Sequence, residues 1–132
     1  QHLRDALLGT GFPFSVHRYI DPYLAAFKRL FVGCRGMRRA GSAALDLCHV
    51  AAGRLDGFWE LYLKPWDMAA GALIVEEAGG VVTDFFGGSG YLTGGHIVAA
   101  PRAVLASITK VTGAVFESVD LDSLATQFPP AR

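Results

Sequence analysis

The chain has 132 residues and a mass of 14.1 kDa, with 12 basic and 12 acidic residues and a pI near 7.1. That length limits it to one modest domain, and 52% hydrophobic with 18% charged residues excludes intrinsic disorder. The even charge balance offers no basic field for nucleic acid, and Met68–Val75, the most apolar stretch, is far short of the ~20 residues of a membrane span.

Cys34 and Cys48 form no CxxC pair and read as ordinary thiols of a reducing compartment. The chain opens with polar residues and no apolar leader, so the expected location is cytoplasmic. A mean hydropathy of +0.33 is rich for so short a chain, which leaves apolar surface to meet a partner.

Ala6–Thr10 is a short apolar run closed by Gly9-Thr10-Gly11, as expected of a buried strand entering a loop. Asp21-Pro22 signals a helix start, with Asp21 as cap and Leu24, Phe27, Leu30 and Phe31 as the apolar stripe, ending near Gly33. Cys34–Arg39 reads as a short strand with a basic side. Ser42 caps a second helix that runs to Gly53. Phe58–Leu63 has the aromatic, alternating character of a strand.

Pro65-Trp66-Asp67 opens a third helix, apolar all round from Met68 to Val75 and so expected to be buried. Gly79-Gly80 stops it. Val81–Thr83 and Ile97–Ala100 read as strands around the glycine-rich loop Gly87–Gly95, and Pro101 starts a last helix. Strands alternating with helices give an α/β fold. The ordered domain is expected over residues 1–116, with a weakly ordered tail over 117–132.

His2, His17, His49 and His96 show no metal-ligand spacing. The glycine-rich loop lacks the pattern of a phosphate cradle and reads as a turn. Glu60 and Asp67 are the carboxylates of interest. Asp67, in the first turn of so apolar a helix, is either an N-terminal cap or a ligand for a hard cation such as Mg²⁺. Spacing alone favours the cap.

Pro65 to Gly80 reads PWDMAAGALIVEEAGG and closely resembles the signature WD-x-A-A-G-x-x-I-V-x-E-A-G-G of the inositol monophosphatase family. The similarity extends to Thr10-Gly11-Phe12-Pro13-Phe14, to Arg38-Arg39-Ala40-Gly41-Ser42-Ala43-Ala44 and to Ala52–Glu60. Downstream it takes in Gly80–Asp84 and Ile97–Ala100. The nearest type is the bacterial inositol-1-monophosphatase. The resemblance implies a mixed sheet with flanking helices, the C-terminal half of an αβαβα layered phosphatase fold.

It further implies Mg²⁺-dependent hydrolysis of inositol monophosphate or a similar polyol phosphate, by a homodimer. Asp67 would be the metal ligand and Glu60 the acceptor of polyol hydroxyls, with Gly41, Ser42 and Ala43 lining the substrate. Arg38 would stand at the site edge or a dimer contact. The family's upstream Glu-Glu segment and DPIDGT motif, which bring most metal ligands and the activated water, match nothing between Gln1 and Arg132. An N-terminal half is therefore expected as a partner, and the isolated chain is expected to be inactive. Relatives acting on histidinol phosphate, fructose bisphosphate or phosphoadenosine nucleotides would share these residues. A non-catalytic binding role, for instance with RNA polymerase, would leave no mark in them.

Overall fold

Alternation along the central strand decides which side of the sheet each residue serves. In the computed structural model, which describes residues 2–13 and 16–125, this strand is β3 (Gly57–Leu61). Phe58 joins a core cluster with Leu47, Met68, Ala72, Val75, Ile97 and Ala99. Its neighbours Trp59 and Leu61 join the opposite cluster, with Leu8, Tyr23, Leu30, Phe85, Val98, Ile108 and Phe116. Two cores, one on each face, make a three-layer α/β/α arrangement.

The five strands run in the order β2-β1-β3-β5-β4, with β1 (Leu7–Thr10), β2 (Gly36–Arg38), β4 (Val81–Thr83) and β5 (His96–Ala100) flanking β3. β1 is parallel to both β2 and β3, whereas β5 is antiparallel to β3 and to β4. The sheet is therefore mixed, as expected.

On one face lie α2 (Ala43–Ala51) and α3 (Pro65–Glu77); on the other lie α1 (Ile20–Gly33) and α5 (Arg102–Phe116). A Cβ at Gly71 of α3 would stand 2.7 Å from Leu47 Cβ, so the two inner helices approach more closely there than any side chain permits. A single turn, α4 (Tyr91–Gly94), interrupts the glycine-rich loop.

Three helix expectations need correction. Asp21 does not cap α1: the helix begins at Ile20, and Tyr19 occupies the cap position without a side-chain bond. The buried stripe of α1 is Tyr23, Ala26 and Leu30, whereas Leu24 and Phe31 are more than half exposed. Nor is α3 buried all round, since Trp66, Leu73 and Ile74 face outward. Its inner face of Met68, Gly71, Ala72 and Val75 is enough to seat it on the sheet.

The segment expected to be weakly ordered carries a helical turn, α6 (Asp122–Ala125), and buries Leu121 and Leu124. The Tyr19 hydroxyl donates to the Asp120 carbonyl at 3.0 Å, which ties this segment to the start of α1. The last part of that tail, residues 126–132, lies outside the described residues, as does Phe14 of the Thr10–Phe14 match.

Candidate functional site

The parallel strands β1, β2 and β3 all end on the same edge of the sheet, the edge where ligands of open α/β sheets bind. Here the chain leaves β1 at Gly11, leaves β2 at Arg39 and turns through Gly41 into α2. A cleft of about 310 Å³ opens at this point, lined by Gly11, Phe12, Arg39, Gly41, Ser42, Ala43, Ala44, Glu60, Leu63 and Asp67. The five residues expected to bind substrate or metal (Gly41, Ser42, Ala43, Glu60 and Asp67) all line it.

Each is held there for a local reason. Gly41 has φ +96°, a left-handed backbone that favours glycine; the Arg39 Nη1 that a Cβ would meet at 2.9 Å is the end of a flexible side chain and could move aside. Ser42 caps α2: its Oγ accepts the Leu45 N–H at 3.3 Å. That leaves the helix's first turn, with Ala43 and Ala44, turned into the cleft, where its partial positive charge suits oxygen-rich ligands.

At the start of α3, the Lys64 N–H donates to Asp67 Oδ2 at 2.9 Å, and the Asp67 N–H donates to the Lys64 carbonyl at 3.0 Å. Asp67 is thus a cap, as one of its two sequence readings required. Only Oδ2 is engaged; Oδ1 accepts no hydrogen bond from the described residues. The cap role and a ligand role therefore use different oxygens of one carboxylate.

Glu60 points to the same face of β3 as Phe58 and lies next to Gly11, because Thr10 pairs with Trp59 one step earlier. A Cβ at position 11 would overlap the Glu60 carboxylate, with Oε2 only 2.7 Å away. Burial pushes the Glu60 carboxyl from 4.5 up to about 7; Asp46 adds to the rise, Arg39 opposes it, and Asp67 adds a little more. Behind it, Thr10 Oγ1 and the Tyr23 hydroxyl share a hydrogen bond at 3.3 Å. Burial pushes the Tyr23 phenol up to about 12, with the Thr10 bond working against the rise.

Sequence reasoning did not assign Arg39 or Asp46 to the site. Arg39 lies 5.1 Å above the Phe12 ring, which meets the Tyr23 ring edge-on at 5.9 Å, so an aromatic pair props the guanidinium at the cleft. Its neighbour Arg38 turns away and lines a separate hollow with Ala40, Asp46, His49, Arg54 and Leu55. Asp46 is 2% exposed, and burial holds its carboxyl above the usual range despite His49 and Arg39.

The site thus combines two carboxylates, one cation and a helix start: hydrogen-bond acceptors for hydroxyls, and a positive end for anionic oxygens. Among the described residues no three His, Cys, Asp or Glu side chains gather to hold a metal ion. Asp67 fits one hard-cation coordination position and supplies no more. No helix is long and apolar enough to cross a membrane, among the described residues.

Comparison with known proteins places this geometry among relatives. The profile of the inositol monophosphatase family matches residues 1–117. Nus factor SuhB of Escherichia coli K12 is 52% identical over 110 residues, covering 83% of this chain and 41% of that protein. Its namesake in Vibrio cholerae is 51% identical over the same shares of each chain.

Among solved structures, the inositol monophosphatase of Anabaena sp. PCC 7120 is 40% identical with a TM-score of 0.76, covering 83% of this chain and 44% of that one. The extragenic suppressor protein SuhB of Bartonella henselae is 41% identical with a TM-score of 0.80, covering 84% and 42%. The chain spans less than half the length of each of these relatives.

Proposed function

The chain belongs to the inositol monophosphatase family, and from that premise we propose that it forms the substrate-recognition wall and one metal ligand of a Mg²⁺-dependent phosphomonoesterase for a polyol phosphate. The observation that carries this reading is the convergence of Gly41, Ser42, Ala43, Glu60 and Asp67 on one cleft at the carboxyl edge of the sheet. Asp67 would hold the cation through the oxygen its cap role leaves unused. When bound, Mg²⁺ neutralises phosphoryl oxygens and stabilises the leaving alkoxide.

The protein's own groups orient the substrate. The start of α2 faces anionic oxygens, and Glu60 accepts hydrogen bonds from sugar-like hydroxyls. Glu60 is costly to ionise where it sits, and a polyol that donates to the carboxylate offsets that cost. The remaining ligands would come from a complementary N-terminal half of the kind the longer relatives carry, so the 132-residue chain alone is expected to be inactive.

The outward faces of Trp66, Leu73 and Ile74 on α3 supply apolar surface for that half. Exposed Phe12, Ile20 and Leu24 supply another surface for a homodimer. A cytoplasmic location completes the proposal. Phosphate release from inositol 1-phosphate, histidinol phosphate, fructose 1,6-bisphosphate and adenosine 3′,5′-bisphosphate by the completed enzyme tests it; a preference for any substrate but the first redirects the assignment.

The naming of relatives as Nus factors favours a second reading, in which the same protein also has a non-catalytic binding role. Retention of a partner by Asp67→Asn in a pull-down, with phosphate release lost, would separate the two.

A further inference from the structure

The chain is neutral overall, yet its helices are unevenly charged. α1 and α5 together carry Lys28, Arg29, Arg102 and Lys110 against Asp21 alone. α2 and α3 carry Asp46, Asp67, Glu76 and Glu77 and no lysine or arginine. Helices α1 and α5, on the face of the sheet away from α2 and α3, are therefore net basic.

The basic charge is gathered at one groove. Between α1 and α5 lies an open cleft of about 730 Å³ lined by Ala25, Lys28, Arg29, Val32, Lys110 and Val111. The four α1 residues follow at i, i+3, i+4 and i+7, which is one face of a helix. This stripe is distinct from the buried one at Tyr23, Ala26 and Leu30.

Apolar surface lies beside these charges: Val32 is 77% exposed although it is a large hydrophobic residue, and Val111 is buried beneath. Lys28, Arg29 and Lys110 are exposed, and none pairs with a carboxylate among the described residues. Like charges set around one groove without counter-charges repel, and an anionic partner removes that repulsion.

We propose that this groove docks an acidic amphipathic helix from another protein, its apolar side on Ala25, Val32 and Val111 and its carboxylates on Lys28, Arg29 and Lys110. The exposed Val32 beside the cations favours a helix over a nucleic acid, whose phosphates would use the cations and leave Val32 uncovered. α1 and α5 have 14 and 15 residues. The lined stretch of α1, from Ala25 to Val32, is about 10 Å long at about 1.5 Å per residue, which matches two turns of a partner. The inference is independent of the catalytic reading, because no groove residue lines the cleft of Glu60 and Asp67.

The test uses a fluorescein-labelled 16-residue helical peptide with leucines at i, i+3, i+4 and i+7 and glutamates on both flanks, followed by anisotropy with the full chain. Saturable binding is expected, weakened at least tenfold by Lys28→Glu combined with Lys110→Glu, and likewise by Val32→Asp. Arg102→Glu, on the same layer outside the groove, should change it less than threefold.

A scrambled peptide of the same composition that binds equally well overturns the proposal, because only charge would then matter. Tighter groove-dependent binding of oligo(dT) overturns it in favour of nucleic acid. Groove variants that abolish self-association in sedimentation overturn it in favour of a second copy. Should the double reversal fail to fold, amide shift mapping on the unaltered chain decides: peptide-induced shifts centred on Ala25, Val32 and Val111 support the groove, and shifts elsewhere refute it.

Discussion

Replacing Glu60 by glutamine should make the protein more stable at neutral pH while weakening its substrate site. Burial raises the folded-state carboxyl from 4.5 to about 7, so between these values the folded protein holds a proton that the unfolded chain releases. The stabilisation from that proton is fully present below about 4.5, declines as pH rises, and is gone above about 7. At about 1.4 kcal/mol per pH unit the whole effect is roughly 3 kcal/mol.

Glu60→Gln removes the titration and keeps the shape. Urea unfolding of both proteins at pH 5, 6, 7 and 8 is the assay. The difference between them should be small at pH 5 and grow to about 2–3 kcal/mol in favour of the variant at pH 8. Titrating groups that are not coupled to Glu60, such as His96, cancel in the difference. Parallel profiles, or a variant less stable at pH 8, would refute the burial argument and with it the idea that Glu60 is kept against its cost in order to meet hydroxyls. In the completed enzyme the same substitution should mainly raise KM.

Gly71→Ala should destabilise the chain by about 1–3 kcal/mol, read from denaturant midpoints, because its Cβ would stand 2.7 Å from Leu47 in the α2/α3 contact. His96 Nδ1 accepts the buried Phe85 N–H at 3.0 Å. His96→Leu should therefore cost about 1–3 kcal/mol. Burial lowers the His96 pKa, so its contribution is present above the ordinary histidine value and lost as pH falls; the acid arm of the stability profile should flatten in the variant. Changing exposed Leu73 and Ile74 to serine should reduce self-association of the isolated chain in light scattering.

Elements whose ends carry their own chemistry were legible in the sequence. Ser42 before α2, and Pro65 with Asp67 at the start of α3, announce those helices through capping alone. The rotation of α1 was not legible. Apolar residues at positions 20, 23 to 27 and 30 to 32 cover adjoining stripes, and only the packed sheet and α5 select Tyr23, Ala26 and Leu30 as the inner one. The all-apolar α3 misled for a related reason, since hydrophobicity on every side states how much surface seeks cover and not which side this chain covers.

In the tail, Leu121 and Leu124 gave too short a pattern to read as packing. At the site, Ser42 could be read as a cap, and spacing favoured the cap meaning of Asp67. The roles of Glu60, Gly41 and Ala43 came with the resemblance. Arg38 and Arg39 are chemically equivalent in sequence, and the turn from the end of β2 into Gly41 is what brings Arg39 to the cleft and leaves Arg38 outside. Asp46 was hidden because a single carboxylate in a helix gives no sign of being buried.

The most direct test joins this chain to the upstream segment of the Escherichia coli relative and measures phosphate release from inositol 1-phosphate with and without Mg²⁺, for the parent and for Asp67→Asn. The amide can still accept the Lys64 N–H, so the melting temperature should hold within a few degrees. The account predicts Mg²⁺-dependent turnover in the parent and a loss of roughly a hundredfold or more in the variant. Near-parental turnover by Asp67→Asn, or a variant that melts far below the parent, would contradict the assignment of Asp67 to the metal and leave it a helix cap alone.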